Sequence, residues 1–334
     1  MGGSSDAGAG AGGQPPMTLD RWFRVGTSGA ICAMITHVYV IPVDVVKTRM
    51  QLTPGVYSSL TDGVKTITRT EGVRALTTGF GATFGGYFVQ GALKYGNYEL
   101  LKSVFSNVLG SDFATTHRLA VYMASAAMSE VVADVALTPF EAIRIRMVAD
   151  PAYSKNMFAG LSKMYQESGI MKGWYRGFPP LVLKQVPYTA VQLSVFEKSL
   201  EFVYTNILNS KKKSDWSAPT QLSVSLACGA AAGVASAIAS HPADTVLSKI
   251  NKGFKAAAAA HSADGAGQQQ KSQGMWKYTF QMLRETQANG QLWAGLGPRI
   301  VMMTAMVAGQ LLIYDTVKVA LGLGASGTVV PDKK

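Results

Sequence analysis

Charge is scarce in this chain: Asp, Glu, Lys and Arg make up only 15% of its 334 residues. A water-soluble domain carries about a quarter, so the composition argues against a chain bathed in water on all sides. Cysteine is scarcer. Cys32 and Cys228 both lie inside apolar runs without CxxC spacing, which excludes a disulfide framework and a zinc site and leaves each as a small buried hydrophobe. The four histidines, His37, His117, His241 and His261, form no HExxH or paired pattern, so metal catalysis has no support. No Ser-His-Asp or Cys-His arrangement can be assembled, and Gly79-Phe80-Gly81 neither continues as GxGxxG nor follows a strand. The chain reads as no enzyme, with no catalytic residue and no cofactor. Its first 17 residues hold no Arg or Lys and are rich in Gly and Ala. They are expected to be a disordered tail, neither a secretory signal nor a basic presequence. Asp6 stands where a myristoylation pattern wants Ser or Thr.

What is abundant is apolar. Hydrophobic residues make up 48% of the chain, with 35 glycines. Six largely apolar runs are long enough to span a bilayer: about 22–48, 79–107, 118–147, 178–205, 220–250 and 295–321. Polar residues recur within each run at helical spacing, so one face of every helix should meet water or protein rather than lipid. A net charge of +11 then points to anionic partners at a membrane rather than to nucleic acid. A low-complexity tract from Gly253 to Gly274 is expected to be a loop insertion.

The end of the first run carries Pro42-Val43-Asp44-Val45-Val46-Lys47-Thr48-Arg49. This octet returns as Pro139-Phe140-Glu141-Ala142-Ile143-Arg144-Ile145-Arg146, 97 residues on, and as Pro242-Ala243-Asp244-Thr245-Val246-Leu247-Ser248-Lys249, a further 103 on. A period near 100 residues, with two apolar runs per unit, means three helix pairs about a pseudo-threefold axis. The expected boundaries are a tail over 1–17, repeats over 18–112, 113–212 and 213–322, and a C-terminal tail over 323–334. Pro42, Pro139 and Pro242 should bend their helices, because the ring displaces a carbonyl and lacks an N–H. Three bent helices can close one end of a bundle, where Asp44, Glu141 and Asp244 would meet the bases of neighbouring repeats.

The even-numbered runs end on a second signature: Tyr98-Glu99-Leu100-Leu101-Lys102, Phe196-Glu197-Lys198-Ser199-Leu200 and Tyr314-Asp315-Thr316-Val317-Lys318. An aromatic, an acid and a base three residues on could latch the other end. Two charged rings at opposite faces suggest alternating access. Leu247 replaces one base of the first ring and Leu200 one base of the second, leaving about two ion pairs in each.

The triplicated Px[DE]xx[KR]x[KR] motif, each copy paired with an [FY][DE]xx[KR]-type motif, resembles the mitochondrial carrier family over residues 22–321. The resemblance implies an all-α membrane protein with six tilted transmembrane helices around a central cavity, both termini toward the intermembrane space, and three short matrix helices. It also implies a multi-pass location in the mitochondrial inner membrane and structural cardiolipin at the matrix-helix and even-helix N-termini. The matrix gate would use Asp44, Lys47, Arg49, Glu141, Arg144, Arg146, Asp244 and Lys249. The cytoplasmic gate would use Tyr98, Glu99, Lys102, Phe196, Glu197, Tyr314, Asp315 and Lys318. The family's second element is imperfect here: Glu71-Gly72 leads to Thr77-Thr78-Gly79, and the later copies end Tyr175-Arg176-Gly177 and Trp293-Ala294-Gly295 with altered spacing.

Residues common to the repeats should run the gates, whereas polar residues that differ between repeats are candidates for an asymmetric cargo. His37 lies seven residues before Asp44 and shares its helix face; its equivalents are Asp134 and Ala237. Glu130 lies eleven before Glu141 on the same face, with Ala33 and Gly233 as equivalents. A histidine near carboxyls able to change protonation suggests a relay, so His37, Glu130, Asp134, Glu141 and Asp44 form a proton-coupling group. The plainer readings are a histidine satisfied by nearby backbone, a fixed structural role for Asp134 and an interhelical hydrogen bond for Glu130.

On the even helices, Lys184 aligns with Gly86 and Met302, Gln185 with Tyr87 and Met303, and Arg299 with Thr83 and Leu181. Lys94, Gln192 and Gln310 form a polar layer nearer the aromatic motifs. Lys94 suits entering anions or pairing with Glu99. Unique cations with amide and hydroxyl donors describe a site for a small inorganic anion. Here the resemblance narrows. The stretch Gly79 to Lys102, the Thr36-His37 pair, Leu181 to Ala190 and Ser240 to Lys252 are similar to the phosphate carriers of that family, which import phosphate with a proton or in exchange for hydroxide. It implies phosphate contacts at Lys184, Gln185, Arg299, Thr83 and Gln90, with Lys94 added by its position. Another small anion, copper at Cys32 and the methionines at 302, 303 and 306, or a non-transporting scaffold are the alternatives. Small residues from Gly229 to Gly233 suit close packing within one bundle, and the chain is expected to work as a monomer.

Overall fold

The computed structural model describes residues 17–52, 56–175, 177–208, 216–259, 275–288, 290, 292–293 and 296–323. The expected tails up to residue 16 and from 324, the low-complexity tract from 260 to 274, and the side chains of Lys47 and Lys249 lie outside the described residues.

Every regular element among the described residues is helical. Six long helices correspond to the six apolar runs: α1 (Leu19–Leu52), α3 (Phe80–Leu109), α5 (Arg118–Ala149), α7 (Phe178–Phe202), α8 (Ala218–Ala259) and α10 (Leu296–Ala320). Between them lie α2 (Leu60–Glu71), α4 (Ser111–Thr116), α6 (Met157–Gly169) and α9 (Met275–Ala288). Helix α8 runs on to Ala259, into the tract expected as a loop. The three motif prolines sit inside unbroken helices α1, α5 and α8.

Four of the six, over Leu19–Met50, Arg118–Ala149, Pro219–Thr245 and Arg299–Ala320, are long and apolar enough to cross a membrane by length and composition. Helices α3 and α7 have the length, 30 and 25 residues, but polar and charged residues interrupt their apolar stretches. Much of that charge is turned inward. Lys94, Glu99, Lys102 and Glu197 are all buried, while Phe84, Phe88, Val131, Val135, Leu226 and Val301 are exposed. Polar inside and greasy outside is the inverse of a soluble bundle and suits a hydrocarbon surround.

The long helices pack as a closed ring, each on its neighbours in chain order and α10 back against α1. Close contact within a repeat depends on missing side chains. A Cβ on Gly29 of α1 would lie 2.5 Å from the Gly91 carbonyl of α3, and one on Gly233 of α8 would lie 2.7 Å from Thr304 Cα of α10. The small residues of 229–233 thus serve the bundle's own packing. Helix α2 starts on a reciprocal cap: Ser59 Oγ accepts the Asp62 N–H, and Asp62 Oδ2 accepts from the Ser58 N–H at 2.9 Å. Those Ser58 donors hold the Asp62 carboxyl below the usual carboxylate range.

Candidate functional site

At the aromatic-motif end the ring is shut. Lys102 of α3 reaches Glu99 on its own helix at 3.1 Å and Glu197 of α7 at 3.0 Å, and Lys318 of α10 lies 3.9 Å from Glu99. Two ion pairs therefore cross between repeats. Asp315, opposite the position where Leu200 replaces a base, accepts from Ser225 Oγ at 2.6 Å. The aromatics of the motif lie on the cations: Lys102 Nζ is 4.5 Å from the Tyr98 ring and Lys318 Nζ is 5.5 Å from Tyr314. Tyr314 in turn stacks on Tyr95 at 4.2 Å, and Phe196 and Leu200 complete a dry plug.

At the proline-motif end some charged side chains are more exposed. Side chains there are 35% exposed for Asp44 and 36% for Lys184, against 5% for Glu99 and 6% for Lys102. Arg144 spans the first two repeats, 4.0 Å from Asp44, while binding Glu141 on its own helix at 2.6 Å. The second bases of the first two motifs pair with acids of the short helices. Arg49 makes a two-pronged pair with Glu71 at the end of α2, and Arg146 lies 3.9 Å from Glu167 of α6. They tie short helices to long ones. Asp244 engages the cations expected for the cargo. It pairs with Arg299 and lies 3.8 Å from Lys184, so two cations unique to single repeats, on α10 and α7, converge on one carboxylate of α8. Arg299 further donates to Ser240 Oγ at 2.9 Å.

Midway lies a buried cluster that joins repeats one and two. Glu130 Oε1 accepts from Gln90 at 2.8 Å, and Oε2 accepts from Thr189 at 2.7 Å and faces Lys94 Nζ at 3.2 Å. Lys94 also donates to Thr189 Oγ1 at 2.8 Å. One turn away, Asp134 is fully buried, and neither of its carboxylate oxygens has a hydrogen-bond partner among the described residues. Its charged surroundings are Glu130, Lys94 and Lys184. His37 shares a ring Nδ1 hydrogen bond with the Ala33 carbonyl at 2.8 Å and stacks on Tyr87 with centroids 3.5 Å apart, within electrostatic range of Lys94, Glu141 and Arg144.

A family model described as mitochondrial carrier protein matches residues 20–109, 115–206 and 219–324, one match per helix pair. The chain belongs to the mitochondrial carrier family. Among curated relatives, the mitochondrial substrate carrier family protein N of Dictyostelium discoideum is 39% identical, over 92% of this chain and 97% of that one. The probable mitochondrial phosphate carrier protein of Schizosaccharomyces pombe is 37% identical over 92% and 93%. Mitochondrial phosphate carrier protein 2 of Arabidopsis thaliana is 36% identical over 91% of this chain and 77% of its own length.

Within this carrier, the structure redistributes the expected site. Lys184 and Arg299 come together, and Gln185 sits half-buried beside the first. Gln90 and Lys94 instead serve Glu130, which removes Lys94 as a partner of Glu99. The Thr83 hydroxyl is buried and donates to the Gly79 carbonyl at the start of its own helix. Cys32 is buried and donates to the Gly29 carbonyl, while Met302 is exposed and Met303 lies in the core. Thr189 went unnoticed in sequence because a lone threonine in an apolar helix looks like any other. Ser240 had a signal, one residue before the motif's His241-Pro242.

Proposed function

We propose that this chain carries inorganic phosphate across the mitochondrial inner membrane into the matrix by alternating access, with a proton alongside or in exchange for hydroxide. The observation that carries the reading is the meeting of Lys184 and Arg299, each unmatched in the other two repeats, on the one carboxylate of Asp244. Cations that break the threefold symmetry suit an asymmetric site for a small oxyanion, and a guanidinium beside an ammonium offers the donors that phosphate oxygens take. Relatives named as phosphate carriers in fission yeast and a plant support the same cargo.

The chemistry divides along the axis. With the aromatic ring shut and the proline end more exposed, this form would exchange anion with the matrix side, the termini facing the intermembrane space. Proton coupling would use His37 with Glu141 and Asp44 at the open end, and Glu130 with Asp134 at the closed midpoint. The ring nitrogen of His37 not spent on Ala33 is the one free to move a proton. Cardiolipin would seat against the short matrix helices, and the monomer would suffice because the ring closes within one chain.

Purified protein in liposomes tests this. It should exchange labelled phosphate, and Lys184→Ala should lose that exchange. Exchange of malate, sulfate or copper but not phosphate would reassign the cargo, and no flux at all would leave a scaffold.

A further inference from the structure

Lys184 and Arg299 are the cations an arriving anion would meet, yet neither waits with its donors empty. Asp244 Oδ1 lies 3.8 Å from Lys184 Nζ, and its Oδ2 pairs with Arg299. Arg299 is well buried, its side chain 9% exposed, so the carboxylate neutralises a guanidinium that would otherwise be costly to hold there. Ser240, one turn back on α8, takes a further guanidinium N–H.

We propose that Asp244 is an internal surrogate for the transported anion: it fills the donor set of Lys184 and Arg299 when the site is empty, and an entering oxyanion displaces it. This rests on the reading of that cation pair as the phosphate site. A carboxylate and a phosphate present these cations with the same thing, negative oxygens able to accept two donors at once. Exchange of one for the other keeps both cations paired. It also frees Asp244, the proline-motif acid of its repeat, at the moment the anion arrives. Asp244 thereby links occupancy of the cation pair to the acids of the proline motifs. Displacement favours a ligand that contacts both cations through separate oxygens over a single-point anion such as chloride. The apparent affinity is reduced by the fraction of time that Asp244 occupies the site.

Phosphate-dependent thermal stabilisation of the detergent-purified full chain, at fixed pH and ionic strength, reads this directly. Asp244→Asn should reach half-saturation at about tenfold lower phosphate, because the internal competitor is gone. Asp244→Glu, which keeps a carboxylate, should stay within about twofold of the parent. Glu167→Gln removes an acid at the same end that lies near Arg146 instead, and should change half-saturation little. Asp244→Ser carries the same expectation as Asp244→Asn if the amide variant does not fold. Unchanged or weaker phosphate binding in these variants overturns the proposal. So does equal tightening in Glu167→Gln, which would mean remote charge rather than occupancy. A parent protein showing no phosphate-dependent shift, indistinguishable from Lys184→Ala, overturns the phosphate site itself and this inference with it.

Discussion

Lys94 of α3 and Glu130 of α5 form an ion pair of 3.2 Å in which the two side chains are 4% and 0% exposed, with Thr189 of α7 hydrogen-bonded to both. Three consecutive helices of the ring thus meet at one buried charge pair. Removing one partner leaves the other uncompensated. Glu130→Gln should destabilise the purified protein by about 3–5 kcal/mol, and pairing it with Lys94→Met should recover most of the loss. Thermal denaturation of the two single variants and the double checks this.

Lys102 bridges two acids at the aromatic end, Glu99 and Glu197. Lys102→Ala leaves both carboxylates in a nearly dry plug, and should cost about 3 kcal/mol of stability. Lys102→Arg keeps the charge and should cost less than half as much. The comparison of melting curves separates charge from side-chain shape.

The guanidinium of Arg299 contacts Asp244 and Ser240 through different nitrogens. A lysine is a point charge and cannot reproduce that fork. Arg299→Lys should therefore raise the phosphate concentration for half-maximal uptake about tenfold, the equivalent of one charge-assisted hydrogen bond. Initial uptake rates over a range of phosphate measure it.

On the proposed proton coupling, uptake by liposomes that are acid outside should exceed uptake without a gradient. His37→Ala should abolish that difference while leaving gradient-free exchange measurable. An undiminished response to the gradient would take the histidine out of the relay.

Two glycine-to-alanine substitutions should move stability in opposite directions. Gly29→Ala forces a methyl to within 2.5 Å of the Gly91 carbonyl and should cost about 1–3 kcal/mol. Gly81→Ala, where nothing lies within 4 Å, should gain up to about 1 kcal/mol from helix propensity. Melting temperatures of both variants test the assignment of one contact as tight and the other as open.

The architecture was largely readable because it is written three times. Proline motifs about 100 residues apart and matching aromatic motifs define the helix pairs without reference to any other protein, and the lone cations Lys184 and Arg299 stand out against that repetition. What sequence could not supply is who faces whom across the ring. Lys94 and Glu130 belong to different repeats and different layers by counting, and only helix packing brings them together. Counting also gave no sign of the acids that Arg49 and Arg146 meet, because a motif records spacing along one helix, whereas those acids, Glu71 and Glu167, lie on short helices whose positions depend on the intervening turns. Asp244 is the sharpest instance. Its role follows from two residues that periodicity assigned to the cargo.

The clamp between Arg49 and Glu71 has a mechanical meaning. It couples the end of α1 to the far end of α2, so on the proposed alternating access a swing of the long helix would carry the short one with it. If α2 rests among lipid headgroups, every turnover must plough it through them. The viscosity and packing of that leaflet then become a load on the cycle, felt by a protein whose cargo never touches lipid.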